Sequence, residues 1–341
     1  MKKAPSAMLL ALLFILGSVP TASAQNPIIK DHYTPDPAPY VHGDKVYLFT
    51  DHDEDKPNDY FHMKEWLLYE TEDMVNWKSH GVIFDLTIFK WAKQGDDAWA
   101  GQLIERNGKW YAYVTATDTA RHIQGIGVAM ADKPEGPYID PIGKPLVPGN
   151  WGFIDPTVFI DDDGQAYLFW GNNALWYAKL NDNMISLGSE ITEVNTKDED
   201  AFGPQKRKFD WQVRDTIWKT NYEEGPWVFK RKGLYYLMYA AGGVPEHMAY
   251  STSESINGPW KYRGRILGEA DNSFTIHGGI INFKGHDYIF YHNGKLNLGS
   301  TKGGGFNRSA CMEEFHYNSD GTIPFIKFTN GGFYKLYRDD F

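Results

Sequence analysis

The sequence predicts an all-β protein, a five-bladed β-propeller, from three observations. No long stretch of the 341 residues shows helical periodicity. Short apolar and aromatic runs are punctuated by Gly, Pro, Asn and Asp, which is typical of strands joined by turns. One hairpin pattern also occurs five times along the chain. A β-sandwich would not need five similar hairpins, and a solenoid would have shorter and more regular repeats.

Each repeat has a polar or aromatic head residue, small or proline residues, an apolar strand, a turn containing Gly and an aromatic strand. The repeats are residues 36–50, 99–113, 155–169, 224–239 and 277–291. A further strand, a turn and the start of another strand follow each hairpin. Each repeat therefore predicts a unit of about four strands, which is one propeller blade.

The first 24 residues are predicted to be a secretory signal peptide outside the fold. Lys2 and Lys3 form a positive region, residues 8–19 are apolar, and Ala22-Ser23-Ala24 is a small-x-small cleavage site. The apolar run is too short to span a membrane comfortably. We expect an exported bacterial protein, periplasmic or extracellular and not integral to a membrane, with one catalytic domain over residues 25–341.

Composition narrows the classes of partner. The net charge of −10 argues against a nucleic-acid partner, which would need a basic face. Twelve Trp, 21 Tyr and 20 Phe suit both a large core and the stacking of rings against sugars. Cys311 is the single cysteine, so an exported protein of this kind must depend on its core for stability. We expect a monomer.

Three long insertions, residues 51–64, 85–97 and 195–221, adjoin the repeats. They are expected to form the rim of one face, although surface loops with a few docked aromatic residues are the alternative. Their aromatic residues are Tyr60, Phe61, Trp91, Phe202 and Trp211. Of these, Phe61 and Trp91 are candidate substrate-binding residues.

The five repeat heads are the main candidates for function. The first strand of each blade lies nearest the propeller axis, so equivalent positions converge at one end of it. The heads are Asp36, Trp99, Asp155, Glu224 and His277. Singly, the acids read as turn or loop residues and the histidine as a core residue. Together they are hard to explain by packing, because acids are rarely buried unless they are paired or functional.

Clustered carboxylates perturb one another's pKa. Like charges and partial desolvation make one carboxyl keep its proton near neutral pH while another stays ionised. A protonated acid for the leaving oxygen and a carboxylate base for water are what glycoside hydrolysis needs. The third acid is free to orient the sugar and to tune the pKa of the proton donor.

At these residues the chain resembles glycoside hydrolase family 43, whose fold is a five-bladed β-propeller. The resemblance covers nearly all of residues 25–341. The family's three acid motifs match Asp36, Asp155 in Ile154-Asp-Pro-Thr157, and Glu224 in Glu224-Gly-Pro226. Residues 26–37, 46–54 and 73–77 resemble the arabinoxylan arabinofuranohydrolase branch.

The resemblance implies that Asp36 is the general base, Asp155 the pKa modulator and Glu224 the general acid. It also implies an inverting mechanism, with the Asp36 and Glu224 carboxyls roughly 6.5–9.5 Å apart. Glu223 precedes Glu224, and because neighbours on a strand point to opposite sides, only one is expected to face the axis. The repeat alignment and the family motif both select Glu224.

Three further residues are assigned by the resemblance or by position. His277 matches a family histidine near the axis that often lies beside a bound Ca²⁺ or water, so it is a candidate metal ligand as well as a substrate-binding residue. Trp99 is a candidate substrate-binding residue. Arg308 is another, expected by analogy to contact the Glu224 side. The chemistry itself needs no cofactor, although a structural Ca²⁺ near the axis is considered.

The sequence thus predicts an exo-acting α-L-arabinofuranosidase that removes arabinose side chains from a plant polysaccharide or its oligosaccharides. β-Xylosidase is the enzyme alternative, because both pentoses present similar hydroxyls to the same acids. A carbohydrate-binding propeller without turnover is the alternative from another class, and the presence of all three acids disfavours it.

Overall fold

A computed structural model describes residues 25–204, 206–210, 215–219 and 221–329, and it is a five-bladed β-propeller. The predicted signal peptide, residues 1–24, lies outside the described residues. The same holds for Trp211 and for residues 330–341 at the end of the predicted domain.

The described strands form one sheet per blade. Blade 1 contains β1 (Ala38–His42), β2 (Lys45–Asp51), β3 (Glu65–Thr71) and β4 (Lys78–Asp85), and blade 2 contains β5 (Trp99–Arg106), β6 (Lys109–Asp118) and β7 (Ile123–Ala131). Blade 3 contains β8 (Thr157–Ile160), β9 (Ala166–Trp170), β10 (Leu175–Lys179) and β11 (Thr192–Val194). Blade 4 contains β14 (Tyr222–Arg231), β15 (Leu234–Ala241), β16 (His247–Ser253) and β17 (Lys261–Leu267). Blade 5 contains β18 (Ile280–Phe283), β19 (His286–Asn293) and β20 (Ser309–Phe315).

Short elements occupy the insertions between blades and strands. A 3₁₀ turn follows blade 1, and a one-turn helix with a separate hairpin lies between blades 3 and 4. These elements are η1 (Leu86–Ile88), α1 (Glu199–Phe202), β12 (Lys206–Asp210) and β13 (Asp215–Lys219). No helix in the described ranges has the length and apolar character to cross a membrane.

The prediction of about four strands per unit is confirmed for blades 1, 3 and 4, whereas blades 2 and 5 have three strands each among the described residues. In blade 2 two isolated bridges, Ile126 to Val147 and Met130 to Ile139, mark the outer position. In blade 5 the N-terminal segment lies beside β20. The Ile28 N–H donates to the Ala310 carbonyl at 2.8 Å. The first described segment of the chain is thereby joined to the last blade.

The hairpins repeat because their turn chemistry repeats. In blade 1, His42 pairs with Lys45 across a two-residue turn, and Gly43 at φ +63° adopts the left-handed conformation that glycine allows without strain. The second strand of each blade is mostly buried and rich in apolar and aromatic residues. All five residues of β9 are buried.

The innermost strands form a ring around the axis. β1 contacts β5 and β18, and β8 contacts β5 and β14. The Trp227 indole N–H of β14 donates to the Ile280 carbonyl of β18 at 3.1 Å, which completes the ring. The residues that begin these five strands therefore meet at one end of the axis, as the repeat pattern predicts.

Candidate active site

A cavity of about 460 Å³ opens at that end of the axis, and residues from all five blades line it. Every predicted repeat head lies in its wall: Asp36, Trp99, Asp155, Glu224 and His277. The convergence expected from the repeat register is therefore confirmed. The catalytic or binding roles assigned to these residues remain predictions.

Asp36 is held as a carboxylate by cationic and hydrogen-bonding neighbours. Its oxygens lie 3.3 Å from Arg308 Nη1 and 3.5 Å from His277 Nδ1. Burial on its own would raise the pKa of Asp36. The Arg308 charge, with a hydrogen bond from His277, outweighs burial and holds this pKa well below its usual range. Asp36 is therefore ionised at neutral pH, as a general base must be.

His292 fixes the backbone at Asp36. The Asp36 N–H donates to His292 Nδ1 at 3.2 Å, while His292 Nε2 lies 3.0 Å from the Thr275 carbonyl. Burial lowers the pKa of His292, so this ring is neutral and accepts at Nδ1. Asp36 and Asp155 both have positive φ, +50° and +58°, directly before a proline. The two Asp-Pro repeats thus share one unusual left-handed turn, which aims both acids into the cavity.

Arg308 contacts Asp36 in the wall of the cavity, and its expected contact on the Glu224 side stays a prediction. Its Nε and Nη2 atoms each donate to an Asp53 oxygen at 3.0 Å, in a bidentate pair. The Phe61 ring covers the guanidinium, with 4.7 Å between the guanidinium carbon and the ring centroid. Arg308 is buried, and its charge also acts on Glu224, where it opposes the rise in pKa that burial causes.

The pKa values of Asp155 and Glu224 are shifted in the opposite direction from that of Asp36. Burial, followed by the charge of Glu224, raises the pKa of Asp155 to about 8. Burial also raises the pKa of Glu224, against a hydrogen bond from the Asn172 amide that favours the charged form. The Gly225 N–H donates to Asp155 Oδ2 at 3.1 Å and so joins the two acids through the backbone. The two carboxyl groups therefore titrate as an interacting pair, each influenced by the other's charge.

Glu223 and Glu224 both line the cavity, so the expectation that only one of them faces the axis is wrong. The strand pairing of β14 with β15 shifts register on either side of Glu224, which is a β-bulge. Gly225 has φ +60°, and a Cβ there would lie 3.0 Å from the His277 ring. The bulge breaks the two-residue alternation that the prediction assumed.

The first insertion forms part of the wall, and the described residues of the other two are not among those that line it. Tyr60, Phe61 and Met63 line the cavity. The structure does not bring Trp91 to the cavity, which corrects its assignment as a rim residue. The Trp91 ring packs on Phe89, and its indole N–H donates to Asp140 at 3.1 Å. Phe202 is also buried in the core.

Several wall residues were not predicted. Glu246 is 4% exposed and accepts from the Ile276 N–H at 3.0 Å. Trp151 is 69% exposed at the rim, and Asn172 contacts Glu224. These residues come from loops that follow inner or middle strands rather than from repeat heads. The sequence could have indicated these residues only by their position in loops next to strands, and many surface residues share such a position.

The structure gives no support to calcium at His277. Among the described residues, the side chains whose ligand atoms cluster within 4.8 Å of one another belong to His32, His52 and Asp55, without His277. Ca²⁺ takes six to eight oxygen ligands. One imidazole beside an Asp36 carboxylate that already contacts Arg308 does not supply them, so we derive no step through calcium. The structural Ca²⁺ remains a prediction.

Comparison with known proteins agrees with this geometry. The family model described as Glycosyl hydrolases family 43 matches residues 24–323. Xylosidase/arabinosidase 43A from Humicola insolens is 30% identical, over 87% of this chain and 98% of that protein. Arabinoxylan arabinofuranohydrolase from Bacillus subtilis is 28% identical, over 87% of this chain and 63% of that protein.

The fold has solved counterparts. One is a family 43 β-xylosidase/α-arabinofuranosidase from a compost microbial metagenome, solved with xylotriose. It has a TM-score of 0.74 and 29% identity, covering 91% of this chain and 99% of that one. The relatives that match over most of this chain carry the names of both xylosidases and arabinosidases.

Proposed function

The chain belongs to glycosyl hydrolase family 43, and on that premise we propose that it is an inverting, exo-acting α-L-arabinofuranosidase. Its substrate is an arabinose side chain on arabinoxylan or arabinan. A cavity walled by all five blades suits the end of a sugar chain better than its middle. The export predicted from residues 1–24 belongs to the same proposal, because such polysaccharides lie outside the cell.

The observation that carries the proposal is the opposite displacement of the acids' pKa values. Asp36, with its pKa held low by Arg308, takes a proton from water as that water attacks the anomeric carbon. Glu224, with its pKa raised by burial, gives its proton to the glycosidic oxygen as the bond to the anomeric carbon breaks. Asp155 keeps the pair protonated and orients the sugar. The products are the free sugar, with inverted configuration, and the shortened polymer.

β-Xylosidase activity is the second candidate. It is favoured by relatives whose names include xylosidase, and by a relative solved with xylotriose. The same three acids serve either pentose, so the choice depends on the walls contributed by loops such as the one carrying Trp151. A binding module without turnover has no use for one low and two raised carboxyl pKa values.

The proposal is tested by hydrolysis of matched nitrophenyl α-L-arabinofuranoside and β-D-xyloside, followed by arabinoxylan and arabinan. We expect the arabinofuranoside to give the higher kcat/KM, and NMR of the first-released sugar to show inversion. A higher kcat/KM on the xyloside would select the second candidate. Retention of configuration would contradict the single-displacement mechanism, and no release from any substrate would contradict the enzyme assignment.

A further inference from the structure

Outside the cavity, two imidazoles and a carboxylate meet where the N-terminal segment crosses the first insertion. His32 Nδ1 lies 2.6 Å from Asp55 Oδ2, and His52 Nε2 lies 3.3 Å from the same oxygen. The ligand atoms of these three side chains all lie within 4.8 Å of one another. The two rings meet edge to face, with 5.0 Å between their centroids.

The surroundings orient these groups as metal ligands are oriented. His52 Nδ1 is 2.9 Å from Glu65 Oε1, which directs Nε2 toward Asp55. A carboxylate on the second ring nitrogen is the usual partner of a metal-binding histidine. The Tyr33 N–H donates to Asp55 Oδ1 at 3.1 Å and leaves Oδ2 facing the rings.

His52 supplies an independent indication of a ligand. Its side chain is 10% exposed, and its Nε2 atom is buried without a hydrogen-bond partner of acceptable geometry. Asp55 and Glu65 carry two negative charges against two imidazoles that are neutral when they bind a metal. The two negative charges would balance the charge of a divalent cation.

We propose that His32, His52 and Asp55 bind one divalent transition-metal ion of the zinc type. Two imidazoles and a carboxylate suit Zn²⁺ better than Ca²⁺ or Mg²⁺, which prefer oxygen ligands. Ligands of a tetrahedral zinc ion stand about 3.3 Å apart. The His52–Asp55 separation already has this value, and His32 and Asp55, 35% and 33% exposed, have room to separate further.

The ion has a structural role in this fold. His32 belongs to the segment that leads to Asp36, and His52 and Asp55 flank Asp53, which holds Arg308. Tyr33 and Asp53 also form a backbone bridge at this crossing. Metal binding would therefore tie the base's own segment to the insertion that forms part of the cavity wall.

The test uses tag-free, chelator-treated full-length protein titrated with Zn²⁺ alone and with Co²⁺ alone. We expect one ion per chain, a tetrahedral Co²⁺ absorption spectrum, and a melting temperature about 3 °C or more higher at saturating Zn²⁺. His32→Ala and Asp55→Asn should each weaken Zn²⁺ binding at least tenfold and remove the rise in melting temperature. Excess Ca²⁺ should not compete.

His286→Ala is the matched control. His286 Nδ1 and Glu314 Oε1 are also 2.6 Å apart, and within the described part of the chain no third His, Cys, Asp or Glu forms a ligand cluster with them. This variant should bind Zn²⁺ as the wild type does. Equal Zn²⁺ affinity in the wild type and Asp55→Asn would overturn the site, as would a wild type that binds no ion. Asp55→Asn decides alone if His32→Ala fails to fold.

Discussion

At the scale of single residues, the three carboxyl groups of the cavity differ in pKa because their neighbours differ. Asp36 faces Arg308 and two histidines, whereas Asp155 and Glu224 face each other in a buried setting. The same side-chain chemistry therefore gives a carboxyl group of low pKa on one side of the cavity and two of raised pKa on the other. Asp53 contributes without lining the cavity, since it holds the guanidinium that keeps Asp36 ionised.

Glu224→Gln should reduce turnover on natural substrates by about 10²–10⁴-fold, because it removes the proton donor for the leaving oxygen. A nitrophenyl leaving group needs less protonation, so the loss should be much smaller on aryl glycosides. Steady-state rates on both substrate types measure this difference. Glu223→Gln is the control, and it should not discriminate between the two leaving groups. An equal loss on both substrates for Glu224→Gln would contradict its role as the acid.

The pH profile of kcat/KM should be bell-shaped, with an acidic limb at low pH and an alkaline limb at high pH. Activity is lost as pH falls through the low pKa of Asp36, which must be ionised. It is lost as pH rises through the raised pKa values of the Asp155–Glu224 pair, with Asp155 at about 8, because the donor must be protonated.

Asn172→Ala should move the alkaline limb to higher pH, because the Asn172 hydrogen bond favours charged Glu224. Asn173→Ala is the neighbouring control, since its side chain donates to Asn172 and not to Glu224. Asn173→Ala should shift the alkaline limb less than Asn172→Ala does. An alkaline limb that stays in place in Asn172→Ala would show that Glu224 does not set it.

At the scale of elements, the bulge in β14 determines where the acid points. Gly225 combines a positive φ, a hydrogen bond to Asp155 and contact with the His277 ring. A strand without this bulge would alternate its side chains and turn one of the two glutamates away from the cavity.

Gly225→Ala should lower both the melting temperature and kcat, the latter by roughly tenfold or more. The methyl group would meet the His277 ring at 3.0 Å, and alanine is strained at φ +60°. Gly233→Ala is the control, because Gly233 has φ +80° with nothing within 4 Å of its Cβ position. It should lower the melting temperature alone. Equal kcat values for the two variants would refute a positioning role for the bulge.

The repeat register was enough to predict the blades and the five heads that meet at the axis. Equivalent positions in a propeller have equivalent places, whatever their side chains. The path of an insertion is not fixed in this way. Trp91 docks on Phe89 because of how its loop folds back, and the pairing of Asp53 with Arg308 joins residues 255 positions apart. The bulge at Glu224 also depends on pairing with β15, which the local pattern does not encode.

At the scale of the whole molecule, the ring is closed by hydrogen bonds between the two ends of the chain. The Met312 N–H donates to Asn26 Oδ1 at 2.9 Å, and Asn26 Nδ2 donates to Glu313 Oε1 at 2.9 Å. Glu313 also accepts from the Thr329 N–H at 2.8 Å. Cys311 is buried and free, so these contacts hold the ends without a disulfide.

Asn26→Ala should destabilise the protein by about 1–3 kcal/mol, because it leaves buried partners on β20 unsatisfied. Thermal and urea unfolding should show one earlier transition, with activity at low temperature close to that of the wild type. Asn282→Ala is the control, since its hydrogen bond to Asp287 is exposed within one hairpin. Its effect should stay within about 0.5 kcal/mol. Equal stability of the two variants would contradict closure through Asn26.

The distribution of the cavity residues along the chain has a consequence for when chemistry begins. A chain synthesised as far as blade 4 already contains Asp36, Asp155 and Glu224, yet it lacks His277 and Arg308. Without them Asp36 lacks the neighbours that hold its pKa low against the effect of burial. On the proposed mechanism, hydrolysis therefore requires the last blade to dock on the first. Activity would then indicate that the ring is complete, and a chain that lacks the last blade should not hydrolyse the substrate.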